Sequence, residues 1–214
     1  LGWQCKQLVQ WGPYKQFGTT SQHGDEGEAG AEDEHESIFY LRSRIEPLDS
    51  GKIWFSKTPE VPSYSWDANH TRMCNWGKFR LKDSGLEFYM VNCHMHVDAP
   101  LARVHSGELL LSLIDNFDPS LPVIYTGDYN CDVTSEPVRK LTESGLLFDS
   151  RALAGKNVYG PVGSLHSFNT AKTPLRRIDH VIVSDKVKVD SYRIVDDEMT
   201  TGKFTSDHMP VLVD

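Results

Sequence analysis

The chain has 214 residues, 39% hydrophobic and 24% charged, a size and balance ordinary for a soluble globular protein and sufficient for one domain with a sizeable core. Its formal net charge of −8 supplies no overall basic footprint for non-specific nucleic-acid binding, although a local basic patch stays open. No apolar run approaches the length of a membrane span and no signal peptide is visible at Leu1, while Cys5, Cys74, Cys93 and Cys131 lie too far apart for a CxxC zinc pattern or a dense disulfide framework, so free thiols in a cytoplasmic, reducing compartment are the expectation.

In chain order, residues 1–10 place Leu1, Cys5, Leu8 and Val9 close to helical spacing, and Gly12-Pro13 would end that helix. Residues 14–18 read as a short strand. The stretch 20–37 is crowded with acids and glycines and reads as a mobile surface loop. Strands are expected at 37–41 and 51–55, and Pro59 and Pro62 open a loop that runs to Arg72. A single sequon at residues 69–71 is weak evidence for secretion. Residues 74–81 and 86–94 read as a hairpin around Asp83, Ser84 and Gly85. Leu109, Leu110, Leu113 and Ile114 form a helical stripe within residues 103–117. A second helix would start at Ser135, an N-cap candidate with Pro137 in the first turn. Residues 155–163 are a glycine-rich loop, and strands are expected at 178–183, 192–195 and 209–213. Many strands with a few helices between them indicate an α/β or α+β sandwich.

The stretch at 121–130 (LPVIYTGDYN) draws the chemistry together. Val123, Ile124 and Tyr125 read as a buried strand that Gly127 breaks at a sheet edge. If the chain stays extended, Asp128 and Asn130 share one face, where a carboxylate and a carboxamide can hold a hard cation and a phosphate oxygen. Taken alone, an Asx-rich turn ending a strand is the better reading. The company of His94, Asp179, Asp207 and His208, each at a strand edge, changes the balance.

Four segments line up: 92–98 (NCHMHVD), 127–130 (GDYN), 177–180 (RIDH) and 206–211 (SDHMPV). Together and in this order they resemble the endonuclease/exonuclease/phosphatase superfamily, with its N-T-H, G-D-F-N, R-I-D-Y/H and S-D-H-x-P-V motifs. The resemblance extends to residues 38–40, 48–51 and 56–62, and to Trp66, Asp67, Arg72 and Trp76, from about residue 30 to the end. It implies a two-sheet α/β sandwich flanked by helices, spanning residues 1–214 as one domain, and a Mg²⁺- or Mn²⁺-dependent hydrolysis of a phosphate mono- or diester. Such chemistry needs charge neutralisation on the phosphoryl oxygens and an activated water. By resemblance, Asp128 orients or deprotonates that water and Asn130 hydrogen-bonds the phosphate. Asp207, with Asp128, contributes to the metal site. His208 faces the scissile phosphate with Asp179 fixing its tautomer, and His94 donates to a phosphoryl oxygen or the leaving group. Trp66 and Arg72 fall in the substrate-side segment. Arg72 reads as a phosphate clamp or, nearly as well, as a structural ion pair with Asp67.

His96 and Asp98 share a face with His94 by period two, yet polar residues leaving a strand describe them better than metal ligands do. The family more often has an acid where His96 stands. His166 and His180 read as ordinary polar positions. The family also begins with an asparagine-bearing strand and a second strand ending in Gln-Glu, whose glutamate is its main metal ligand. Neither is present, so the domain is expected to be N-terminally incomplete, with residues 1–10 resembling the helix that follows Gln-Glu. Glu32, Glu34 and Glu36 belong to a later segment and are not promoted to that role. The rival reading is a non-catalytic binding domain or pseudoenzyme on the same scaffold. Within the enzyme class, substrates of this fold run from nucleic acids to nucleotides and phospholipid-derived phosphates. The acidic balance favours a small or lipid-derived phosphate over long DNA. A monomer is expected.

Overall fold

The computed structural model describes residues 2–23, 33–169, 173–196 and 204–214. Its frame is a six-stranded sheet made from β3 (Ile45–Trp54), β4 (Met73–Leu81), β5 (Glu87–His94), β6 (Val123–Asp128), β7 (Leu147–Asp149) and β9 (Asp179–Ser184). They lie in the order β3-β4-β5-β6-β9-β7. β4 and β5 form the expected hairpin. The pair β5–β6 is parallel, a connection that needs a crossover; α2 (Pro100–Leu113) and one 3₁₀ turn (Ile114–Asn116) supply it.

Strand alternation sorts the two faces of this sheet. Cys74, Val91, Cys93, Tyr125 and Ile182 point to one side, where Leu110 and Leu113 of α2, and Val138 and Leu141 of α3 (Glu136–Thr142), bury them in the main core. Asn75, Asn92 and Thr126 alternate with those residues and meet a second layer. Asn75 Nδ2 donates to the carbonyls of Thr19 and Glu36, and Asn92 Nδ2 donates to that of Ser37. These bonds tie down the lead-in to β2 (Ile38–Leu41), which pairs with β1 (Tyr14–Phe17) behind α1 (Gly2–Trp11). The same layer holds β8 (Val158–Tyr159), β10 (Tyr192–Ile194) and β11 (Val211–Val213), in the order β11-β10-β8, over their own cluster of Ala154, Tyr192, Ile194 and Met209. The described strands form three sheets, of six, three and two strands, so the mixed α/β class is as expected while the second layer is divided between two small sheets instead of being one. No helix among the described residues is long and apolar enough to cross a membrane.

Several local expectations need correction. α2 starts at Pro100 rather than 103 because Asp67, remote in sequence, accepts from the amides of Leu101 at 3.0 Å and Ala102 at 2.8 Å and so caps its first turn. β3 runs six residues further toward the N-terminus than expected, held in register by β4. Ser135 takes the N-cap position of α3, but its hydroxyl makes no capping bond. β7 and the short α4 (Ser150–Leu153) fall where no strand or helix was expected. The glycine-rich loop at 155–163 contains β8. Of the acidic stretch 20–37, residues 24–32 lie outside the described residues, while its flanks are partly built into the fold: Thr20 and Ser21 are buried, Thr20 bridges to His35, and Glu36 is buried.

Candidate active site

Register builds the site. His94 ends β5, Asp128 ends β6 and Asp179 begins β9; His94 is the lateral partner of Asp128, and Asp128 of Asp179. Three polar side chains therefore stand in one row across three adjacent strands, at one end of the sheet. Met73 continues the row beyond His94, with Arg72 just before it.

Gly127 permits the row to form. Its φ is +149°, and a Cβ there would sit 2.0 Å from the carbonyl oxygen of Cys93, so only glycine allows β5 and β6 to approach this closely. The chain does not stay extended afterwards. Asn130 has a φ of +52°, and its amide donates to Asp128 Oδ1 at 2.8 Å. This is the Asx turn that the segment taken alone suggests; it starts at Asp128 on the cavity wall and carries Asn130 out of the lining. Asn130 Nδ2 donates to the carbonyl of Met95 at 2.9 Å, pinning the loop that follows His94.

The second layer delivers His208 through a bridge to Leu165 just before β11. His208 Nδ1 lies 2.8 Å from Asp179 Oδ2, and its Nε2 lies 3.9 Å from Asp128 Oδ2. From the other side His94 Nε2 lies 3.4 Å from the same Asp128 oxygen. Arg72 Nη1 donates to His94 Nδ1 at 2.8 Å and also bonds Glu34 Oε2. With its Nδ1 accepting, His94 carries its proton on Nε2, facing Asp128. A cavity of about 600 Å³ is lined by Glu34, Glu36, His94, Asp128, Asp179 and His208, among others.

Burial and neighbouring charge set different protonation preferences around this cavity. Asp128 is pushed up to about 6 by burial and by the charge of Asp179. His94 is pushed down to about 3 by burial and by the Arg72 guanidinium. His208 is raised by its hydrogen bond to Asp179. Burial pushes Glu36 up to about 8. Groups pushed apart in this way, facing one cleft, are what acid–base chemistry requires.

Not every residue singled out in the sequence joins the cavity wall. Asp207 precedes His208 and accepts through its carbonyl from the amides of His166 and Ser167, but its side chain is not in the lining. Trp66, at a φ of +60°, stacks on His105 with ring centroids 4.4 Å apart. Asp67 caps α2, so Arg72 takes Glu34 and His94 as partners instead. His96 is fully buried with neither ring nitrogen bonded, edge-on to His70. His180 bonds the carbonyl of Cys131, and His166 packs against Phe168 and Phe204. Glu34 and Glu36, which the sequence did not promote to metal ligands, do line the cavity. Their spacing of two just before β2 was the available signal, hidden inside a run of acids.

Among the described residues, two sets bring three ligand atoms within 4.8 Å of one another: Glu34, Glu36 and His94, and Asp128, Asp179 and His208. In the second set Asp179 and His208 are bonded to each other, which leaves an Asp128 oxygen for a cation. In the first, the two oxygens of Glu36 are buried with no partner. Carboxylate oxygens suit a hard divalent ion, and the residues present fit one.

A model of the Endonuclease/Exonuclease/phosphatase family matches residues 33–208, and the chain belongs to that family. The structure of a mannosyl-6-phosphatase from Bacteroides thetaiotaomicron VPI-5482 is similar over 99% of this chain and 80% of that one, at 31% identity and a TM-score of 0.87. A family protein from Bacteroides vulgatus covers 94% of this chain and 75% of its own, at 29% identity and a TM-score of 0.83. An uncharacterized protein of Acanthamoeba polyphaga mimivirus is 28% identical over 172 residues; the match covers 75% of this chain and spans 62% of that relative's length.

Proposed function

We propose that the chain hydrolyses a phosphate ester with the help of a divalent cation, Mg²⁺ or Mn²⁺, and that the substrate is a small phosphomonoester such as a sugar phosphate. The observation that carries this reading is the Asp179–His208 pair aimed at Asp128 across one cavity, with a bond of 2.8 Å inside the pair. Asp128, held near 6, is suited to accept a proton from an attacking water at neutral pH. Asp179 fixes the tautomer of His208 and favours its charged form, which donates to a phosphoryl oxygen from Nε2. His94, neutral and with its proton on Nε2, is a second donor on the opposite side of Asp128, oriented by Arg72. A divalent ion, when bound, neutralises phosphoryl charge. Asn130 supports the floor by tying the loops after β5 and β6 together, and Asp207 acts through the placement of His208. The acidic balance and the sugar-phosphate activity named for the Bacteroides thetaiotaomicron relative support a compact monoester over a long nucleic acid.

The test is release of inorganic phosphate from a panel of hexose phosphates, nucleotides and a simple phosphodiester, with Mg²⁺ or Mn²⁺. Cation-dependent release from the hexose phosphates, lost in His208→Ala, is expected. No release from any ester while the folded protein still binds phosphorylated ligands would replace the reading with that of a binding module.

A further inference from the structure

Glu36 lies outside every motif that places a residue in this site. It is 3% exposed, and neither of its carboxylate oxygens has a hydrogen-bond partner among the described residues. Its main chain is engaged through the bond from Asn75 to its carbonyl. The side chain faces the same cavity as Asp128, Asp179 and His208, and its ligand atom lies within 4.8 Å of those of Glu34 and His94.

The three members of that group are not equivalent. Arg72 Nη1 bonds both Glu34 Oε2 and His94 Nδ1. Glu34 therefore has its counter-cation, and the lone pair of His94 is taken. Among the described residues Glu36 has no ion pair, in a place where an unpaired carboxylate is costly to hold. Asp128 lies on the far side of His94, whose Nε2 is 3.4 Å from it. Glu36, which is buried, and Asp128, which is half-buried, thus both line the cavity beside one imidazole. Mg²⁺ and similar ions commonly take one or two carboxylates and fill the remaining positions with water and substrate phosphate. Glu36, grouped with Glu34 and His94, offers one such carboxylate to the cavity that Asp128 also lines.

We propose that Glu36 is a protein ligand of the divalent cation, supplied from the segment before β2 and not from any of the four motifs. This rests on the reading of the site as a cation-dependent phosphoesterase. It also accounts for a glutamate so close to the catalytic row whose carboxylate has no hydrogen-bond partner among the described residues.

The experiment is a Mn²⁺ titration of the chain followed by electron paramagnetic resonance of the free ion, on the wild type, Glu36→Gln and Glu34→Gln. Thermal unfolding of each protein without metal runs alongside. Glu36→Gln is expected to weaken Mn²⁺ binding by about 10-fold or more and to raise the metal-free melting temperature, because the neutral amide relieves a buried acid. Glu34→Gln is expected to weaken binding less, since Arg72 already holds that carboxylate. Equal Mn²⁺ affinity in folded Glu36→Gln and wild type would overturn the assignment, as would a wild type that binds no Mn²⁺. Phosphate release on the same samples separates the two readings. Binding that depends on Glu36 without any hydrolysis leaves the ligand standing and removes the enzyme. Mn²⁺-dependent hydrolysis with unchanged binding in Glu36→Gln does the reverse.

Discussion

Asp179 and Asp128 are lateral neighbours with the same functional group and different tasks. Asp179 spends an oxygen on His208 at 2.8 Å, whereas Asp128 receives an amide from Asn130 and otherwise faces the cavity. Asp179→Asn should leave the fold intact and lower turnover on the order of 10²-fold or more, because the imidazole loses both its tautomer and its anion. A pH–rate profile unchanged in that variant would remove Asp179 from the proton economy of the site. His96 makes a different prediction. Burial pushes it down to about 4 from an ordinary value near 6.5. The unfolded chain therefore binds more protons between those values, and stability present above pH 6.5 drains away as pH falls through that window. The urea midpoint of the wild type should drop between neutral and mildly acidic pH more than that of His96→Leu; parallel curves would contradict this. At this scale the sequence was legible where a motif names the residue: His94, Asp128, Asp179 and His208 do meet. It misled where backbone geometry intervenes. The two-residue spacing of Asp128 and Asn130 suggested a shared strand face, but a left-handed Asn130 turns the chain. Glu36 was invisible because burial is a tertiary property that a run of acids does not announce.

Among the elements, the parallel pair β5–β6 sets the geometry, and its close approach at Cys93 and Gly127 is the most demanding contact. Gly127→Ala should destabilise the protein by at least ~2 kcal/mol, through a positive φ and a Cβ driven into the Cys93 carbonyl. A denaturation midpoint equal to the wild type would show that the strands can part. The start of α2 depends on a residue more than thirty positions upstream, since Asp67 caps its amides at 2.8 and 3.0 Å. Asp67→Ala should lower the melting temperature and fray the first turn, seen as faster hydrogen exchange at residues 101 and 102, and unchanged exchange there would contradict the cap. Local pattern could not place that helix start, because the capping side chain arrives from another loop. The same holds for β7, whose three residues carry no strand period of their own. β7 is fixed by β9 alongside it and by the two-pronged pairing of Asp149 with Arg177 at 2.7 and 2.9 Å. Long strands and the leucine stripe of α2 were legible because their periods exceed the reach of such tertiary effects.

At the scale of the whole molecule, two layers contribute unequally to one cavity. The six-stranded sheet supplies His94, Asp128 and Asp179 by register, so their spacing is as rigid as the sheet itself. The second layer supplies His208 and Glu36 from segments flanking β11 and β2; side-chain bonds from Asn75 and Asn92 join the β2 segment to the sheet, and the His208 bond to Asp179 joins the other. The site therefore depends on the packing of the layers as well as on the motifs. The most direct measurement is steady-state phosphate release from a hexose phosphate by the wild type and by Asp128→Asn, with and without Mg²⁺. The expected result is cation-dependent turnover that falls by about 10²–10⁴-fold in Asp128→Asn with melting behaviour unchanged. Equal turnover by the folded variant, or turnover indifferent to the cation, would contradict the account.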